Sequence, residues 1–332
     1  MKIGVVIAAL MGLCLAAYLI FYVGVGAVFS AAASVGWSGF AALCLYGLTL
    51  FALLGTAWFA LAPPDEAWRI STFLWGRAVR DSAGEVLPFS QMGGFVVGVR
   101  AVMLRGVSAP FAFASTIVDV TMELIAQIVF VMIGIVILLA RVPTSPSSTA
   151  LADGVMLGIA VAMVGAGGFL VVQRRGLALV ERLAARFLPS AAAQAGAVHR
   201  AVAQIHAAPL RLLFSFVVHL TCWIATAGWA WCAMRLMGIH APFPAVVAIE
   251  ALLYAIRSAA VFVPNAIGVQ EAAYLMLFPL FGLPPPVGLA VSLLKRARDI
   301  TVGIPVLLTW QFAEGGHALR ESRNATNFLA EK

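Results

Sequence analysis

The sequence predicts an all-α polytopic membrane protein, with six spanning helices and two re-entrant hairpins in an inverted repeat, and three observations predict it. Of 332 residues, 63% are apolar and 11% charged, and the mean hydropathy is +1.02, a balance foreign to soluble domains. Six apolar runs reach the roughly 20 residues that cross a hydrocarbon layer. Two further stretches are apolar but carry charge and a central Pro-to-Gly break, as expected of backbone that enters the bilayer and turns back.

The first expected span is Ile3 to Phe29. The small residues after it, Ser30-Ala31-Ala32-Ala33, resemble a signal-peptidase site, but the run exceeds a signal h-region of roughly 7 to 15 residues and is expected to be retained. The remaining spans are Trp37 to Leu61, Phe111 to Ala140, Leu151 to Val172, Leu212 to Met237 and Val287 to Phe312. The hairpins are Trp68 to Leu104 and Pro244 to Phe281. Leu177, Val180, Leu183, Ala184 and Phe187 recur at helical spacing opposite Arg182 and Arg186, which predicts an amphipathic helix resting on the membrane. The expected organisation is a single transmembrane domain, 1–312, with repeat halves near 37–172 and 212–312, a cytoplasmic amphipathic linker, 173–211, and a cytoplasmic tail, 313–332.

The net charge of +7 comes from arginines dispersed between apolar runs, so it points to loop orientation rather than to nucleic acid. Arg69, Arg77, Arg80, Arg100 and Arg105 follow the second span, and Arg174, Arg175, Arg182, Arg186 and Arg200 follow the fourth. With Lys2, Arg320, Arg323 and Lys332, this bias places both termini in the cytoplasm of a bacterium, around its inner membrane. Cys14, Cys44, Cys222 and Cys232 lie in apolar runs without a CxxC pair, so neither a disulfide nor a metal is inferred. No HExxH, GxSxG, Walker A or paired Asp-rich diphosphate motif occurs. The chain is therefore expected not to be an enzyme and to use no cofactor.

The hairpins resemble each other. Arg80, Ser82-Ala, an apolar pair, Pro88 and Gly93-Gly94 in the first match Arg257, Ser258-Ala, an apolar pair, Pro264 and Gly268 in the second. Carried outward, the match pairs the second span with the fifth and the third with the last in opposite directions, which defines an inverted repeat with a binding site near the midplane. Helices that restart after Pro88 and Pro264 would aim backbone N–H groups inward, favouring an anion. Gly94-x-x-x-Gly98 suits close helix packing.

Charge inside the apolar runs carries the functional argument. Asp119, Glu123 and Gln127 form one stripe on the third span at i, i+4 and i+8. Lys295, Arg296, Arg298 and Asp299 interrupt the last span; Ser292, Arg296 and Asp299 share a face, and Lys295 reaches Asp299 at i+4. A charge at a bilayer centre costs about 2.5–3.5 kcal/mol even on the lenient scale. These residues, with Arg80, Arg100, Arg257, Glu250 and Glu271, must pair with each other, line a wet cavity or contact a ligand, and the sequence leaves all three open. Cations predominate, and most are Arg, whose planar fork suits phosphate or carboxylate. His219, one turn from Trp223, reads as a packed, hydrogen-bonded residue.

These residues also carry a family resemblance. The stretch Arg77 to Arg105, then Ala114-Ser115 through Asp119, Glu123 and Gln127, and Val263-Pro264-Asn-Ala-Ile-Gly268-Val-Gln-Glu271 with Arg296 resemble the lysylphosphatidylglycerol synthase transmembrane (flippase-domain) family. Within it the chain is similar to stand-alone members associated with hopanoid biosynthesis. The resemblance implies a lipid translocator for a polar or anionic-headgroup lipid; without the soluble aminoacyl-transferase domain, no synthesis of lysyl-lipid is expected. The expected substrate contacts are Arg80, Arg257, Arg296, Pro88, Gly93, Gly94, Pro264 and Gly268. Asp119, Glu123, Gln127, Glu271, Lys295, Arg298 and Asp299 are expected to pair charges or carry coupled protons. A non-transporting scaffold for a hopanoid or lipid-modifying enzyme is the alternative, and self-association is left open.

Overall fold

The long helices are apolar over most of their surface, as suits a helix with protein on one side and lipid on the other. The computed structural model describes Tyr18, Phe21 and residues 25–87, 90–140, 189–260 and 263–330. Among the described residues, all regular structure is helical: α1 (Val25–Ala33), α2 (Gly36–Phe59), α3 (Ile70–Val86), α4 (Ser90–Met103), α5 (Ala109–Leu139), α6 (Pro189–His206), α7 (Pro209–Leu236), α8 (Phe243–Ala259), α9 (Val269–Leu280) and α10 (Pro285–Ala330), with a 3₁₀ turn at Pro264–Ala266.

Helices α2, α5 and α7 are long and apolar enough to cross a membrane. They answer to the second, third and fifth expected spans. The last expected span lies within the continuous α10, whose buried charges interrupt its hydropathy. The first expected span lies largely, and the fourth wholly, outside the described residues, as does the surface helix expected around Leu177 to Phe187. Large apolar side chains cover the outside: Trp37 is 90% exposed, Leu210 79% and Phe312 80%. Much of the charge on α3, α5 and α10, conversely, is buried, Arg77, Arg80, Asp119 and Lys295 among it. That inside-out distribution is the one a lipid solvent selects.

A succession of long, short, short and long helix occurs twice, as α2 to α5 and as α7 to α10. The short pairs have 17 and 14 residues, then 17 and 12. At a rise of about 1.5 Å per residue, none of the four reaches across a hydrocarbon core of about 30 Å. In both halves a glycine with positive φ ends the short pair, Gly106 and Gly282, and proline opens the long helix that follows, Pro110 and Pro285, where its fixed φ and missing N–H cost nothing.

The first pair is an antiparallel zipper. A side-chain carbon added at Gly94 would lie 2.5 Å from the Arg80 carbonyl oxygen, at Gly98 2.7 Å from Arg80 Cβ, and at Gly76 2.4 Å from Val102. Gly94 and Gly98 thus serve close packing, as their spacing predicts. The halves interlock by exchange: α5 packs on α8, α10 packs on α3, and α2 packs on α7. Two large apolar cores result, the second of them shared with Leu43 of α2. One holds Trp58, Phe73, Val102 and Phe111; the other holds Trp229, Ile249, Tyr274 and Leu294.

Candidate functional site

The α5 stripe faces the first helical pair. Asp119 is fully buried, and its Oδ2 accepts hydrogen bonds from Arg77 at 2.9 Å and Arg80 at 2.6 Å. One turn on, Glu123 accepts from the same two side chains, at 2.7 Å from Arg77 and 3.0 Å from Arg80. Arg77 also donates to Asp81 at 2.7 Å. His219 of α7 completes the group, its Nε2 standing 3.0 Å from Asp119 Oδ1. Two guanidinium forks held by carboxylates on successive turns make a rigid ladder, because each fork meets two acceptors at once. Gln127, the third member of the stripe, turns to the other half, where its Nε2 donates to Ser258 Oγ at 2.7 Å.

The second half has its own pairs. Lys295 Nζ lies 2.5 Å from Glu250 Oε2, and Tyr274 donates to the other oxygen of that carboxylate at 2.6 Å. Glu271 accepts from Arg296 at 2.8 Å and from Ser292 at 2.6 Å, and it also accepts the Gly268 N–H at 2.8 Å. Lys295 therefore reaches across to α8 rather than along its own helix to Asp299, as local spacing had predicted. Asp299 instead holds its neighbour Arg298, and Glu85 lies 3.9 Å from the same guanidinium. Arg298 gains room from a notch in α2: a side-chain carbon at Gly47 would lie 2.8 Å from Arg298 Cδ.

The two pairs meet at their breaks. Asn265, in the turn between α8 and α9, donates through Nδ2 to the Glu85 backbone carbonyl oxygen at the end of α3 at 2.7 Å, and its side-chain Oδ1 accepts from Arg257 at 3.1 Å. Asn265 and Ala266 both hold left-handed backbone, with φ of 47° and 46°, a conformation that costs about 1–2 kcal/mol for a residue with a side chain. Arg257 donates to Gln270 Oε1 at 2.9 Å, and Gln270 donates to Ser292 at 2.8 Å.

The expected site residues thus fall into three groups. Arg80 and Arg296, expected to hold substrate, are engaged by carboxylates, and Asp119, Glu123, Glu271, Lys295, Arg298 and Asp299 are all paired. Arg257 alone of the three expected arginine contacts has neutral partners. Pro88 lies outside the described residues; Pro264 opens the 3₁₀ turn, and α9 begins only at Val269. The Gly268 N–H is taken by Glu271, so the expected anion-binding use of that amide is filled by the protein itself. Gly93 lies in the first turn of α4, beside the packing residue Gly94. Arg100 is 45% exposed and pairs with Glu314 at 2.9 Å, at the rim.

Sequence reasoning missed Arg77, Asp81, Glu85, Asn265 and Tyr274. Arg77 had been counted among loop charges, yet it is 2% exposed. Its spacing to Asp81, i to i+4 on one helix, was the available signal.

An apolar helical bundle enclosing polar networks defines a membrane protein; the family to which it belongs ties it to lipid handling. The chain belongs to the lysylphosphatidylglycerol synthase TM region family, matching it over residues 3–307. No curated protein and no solved structure matches it significantly.

Proposed function

We propose that the protein is a lipid translocator of flippase type, which moves a lipid with a polar or anionic headgroup across a bacterial inner membrane and catalyses no covalent change. In this reading six helices span the membrane and both termini are cytoplasmic. The two short pairs re-enter from opposite faces as the arms of an inverted repeat. Hopanoid-related lipids are among the candidate substrates. The observation that carries the reading is the junction of two broken helical pairs, Asn265 on Glu85, amid charges sealed within an apolar bundle. Broken helices at depth are tolerated only where protein or a polar cavity covers their backbone, and in transporters such junctions form substrate sites. An apolar groove of about 490 Å³ between α2 and α10, lined by Trp37, Phe40, Cys44 and Leu48, supplies a path for acyl chains outside that polar interior.

Reconstitution of the full chain into vesicles carrying a fluorescent-headgroup phospholipid tests this reading. The expected result is exposure of inner-leaflet probe to an impermeant quencher at a rate above that of protein-free vesicles. Equal rates would overturn it. The second reading, a non-transporting scaffold for a lipid-modifying or hopanoid-producing enzyme, draws support from the internal pairing of Arg77, Arg80, Lys295, Arg296 and Arg298, since such pairs suit a purely structural role. It predicts no lipid movement and stable co-purification with an enzyme.

A further inference from the structure

Among the described residues, every other Arg or Lys on the four short helices, and on α10 as far as Asp299, touches a carboxylate. Arg257 does not. Its direct partners are the amide oxygens of Gln270 and Asn265 and the ring of Tyr254, 5.3 Å from the guanidinium carbon. Glu85 and Asp299 act on it through space, but both are engaged with Arg298.

A guanidinium has five N–H donors, and the two amide oxygens occupy two of them. The side chain is half-buried, and among the described residues no carboxylate lies within salt-bridge distance of its remaining donors. The adjoining Ser258 is exposed; its oxygen accepts from Gln127, which leaves its O–H to donate elsewhere. Two amide oxygens therefore fix a planar, permanently charged fork at the meeting point of the two helical pairs without cancelling its charge. In low dielectric such a charge favours a further, directly contacting anion, and the fork fits two oxygens of a phosphate.

We infer that Arg257, positioned by Gln270 and Asn265 and assisted by Ser258, binds the phosphate of a phosphate-ester ligand. This rests on the translocator reading and names its headgroup contact: Arg257, with Arg80 and Arg296 serving as internally paired supports.

The test is a binding titration of the full chain in detergent micelles against dioctanoyl phosphatidylglycerol, dioctanoylglycerol and inorganic phosphate. The phospholipid is expected to bind more tightly than the phosphate-free lipid by about tenfold to a hundredfold, the range of charge-assisted hydrogen bonds. Arg257→Gln should lose that margin, and Arg257→Lys should recover part of it. Gln270→Glu is the decisive variant, because it sets a carboxylate where an amide oxygen now stands 2.9 Å from Arg257. It also removes the N–H that Gln270 donates to Ser292, so it should lower the thermal transition somewhat, and it should lose the phospholipid margin while remaining helical by circular dichroism. Competition by inorganic phosphate at comparable concentration would assign the site to the free anion, and its failure to compete would assign the site to a lipid headgroup; both outcomes support an anion at Arg257. Wild-type binding by Arg257→Gln and Gln270→Glu, or equal binding of the phosphate-free lipid, would overturn the inference. Arg257-dependent binding without lipid movement in vesicles would instead sink the translocator reading and leave the site standing.

Discussion

Asp119 shows how much one side chain can organise inside an apolar bundle. It accepts from Arg77 and Arg80 of α3 through one oxygen and meets His219 of α7 through the other. Removing one partner from a buried ionic group strands the rest, at about 3–5 kcal/mol. Asp119→Ala is expected to lower stability by that order in denaturant unfolding of the micellar protein. Glu314→Gln, at the exposed pair with Arg100, is expected to cost less than about 1 kcal/mol. The stripe Asp119, Glu123, Gln127 was legible in the sequence because helical spacing is local information. Its partners were not: Arg77 lies 42 residues from Asp119, and His219 lies 100. Lys295 shows the same limit, since local spacing offered Asp299 while burial and Tyr274 made Glu250 the better acceptor.

At the scale of elements, glycine sets how closely α3 and α4 approach. Gly94→Ala must displace backbone, because the nearest atom to the added carbon is the Arg80 carbonyl oxygen. The expected loss is about 1–3 kcal/mol, typical of overpacking. Gly26→Ala in α1 meets nothing within 4 Å and is expected to be neutral or slightly stabilising, since alanine favours helix by up to about 1 kcal/mol. The turn between α8 and α9 reverses the usual preference. Ala266→Gly should leave stability unchanged or raise it, because left-handed backbone suits glycine, whereas Ala266→Val should lower it; thermal unfolding of the two variants distinguishes them. Pro264 and Gly268 announced a break in the sequence. They did not locate the restart of the helix at Val269, which depends on Glu271 capping the Gly268 amide.

At the scale of the whole molecule, the halves are locked by exchange, with α5 on α8 and α10 on α3. The doubled order of elements was visible in the sequence as two matching Pro-Gly breaks. The exchange itself was not, because no periodicity reports which of several apolar helices pack together. If lipid passes between the paired breaks, their contact must open during transport. Glu85→Cys combined with Asn265→Cys, in a background without the native cysteines, is therefore expected to cross-link with a short bifunctional thiol reagent and to stop lipid movement. A cleavable reagent should restore movement on reduction. Unchanged transport in the fully cross-linked protein would place the route elsewhere.

The notch at Gly47 extends this dependence into descent. Arg298 crosses α2 only because position 47 carries no side chain, although the two lie 251 positions apart in the chain. Any homologue that acquires bulk at position 47 must shorten, redirect or surrender the arginine, and the ion cluster beside Glu85 would change with it. Mutational histories at the two sites should consequently be correlated, with alanine or larger at the first accompanying a smaller residue at the second.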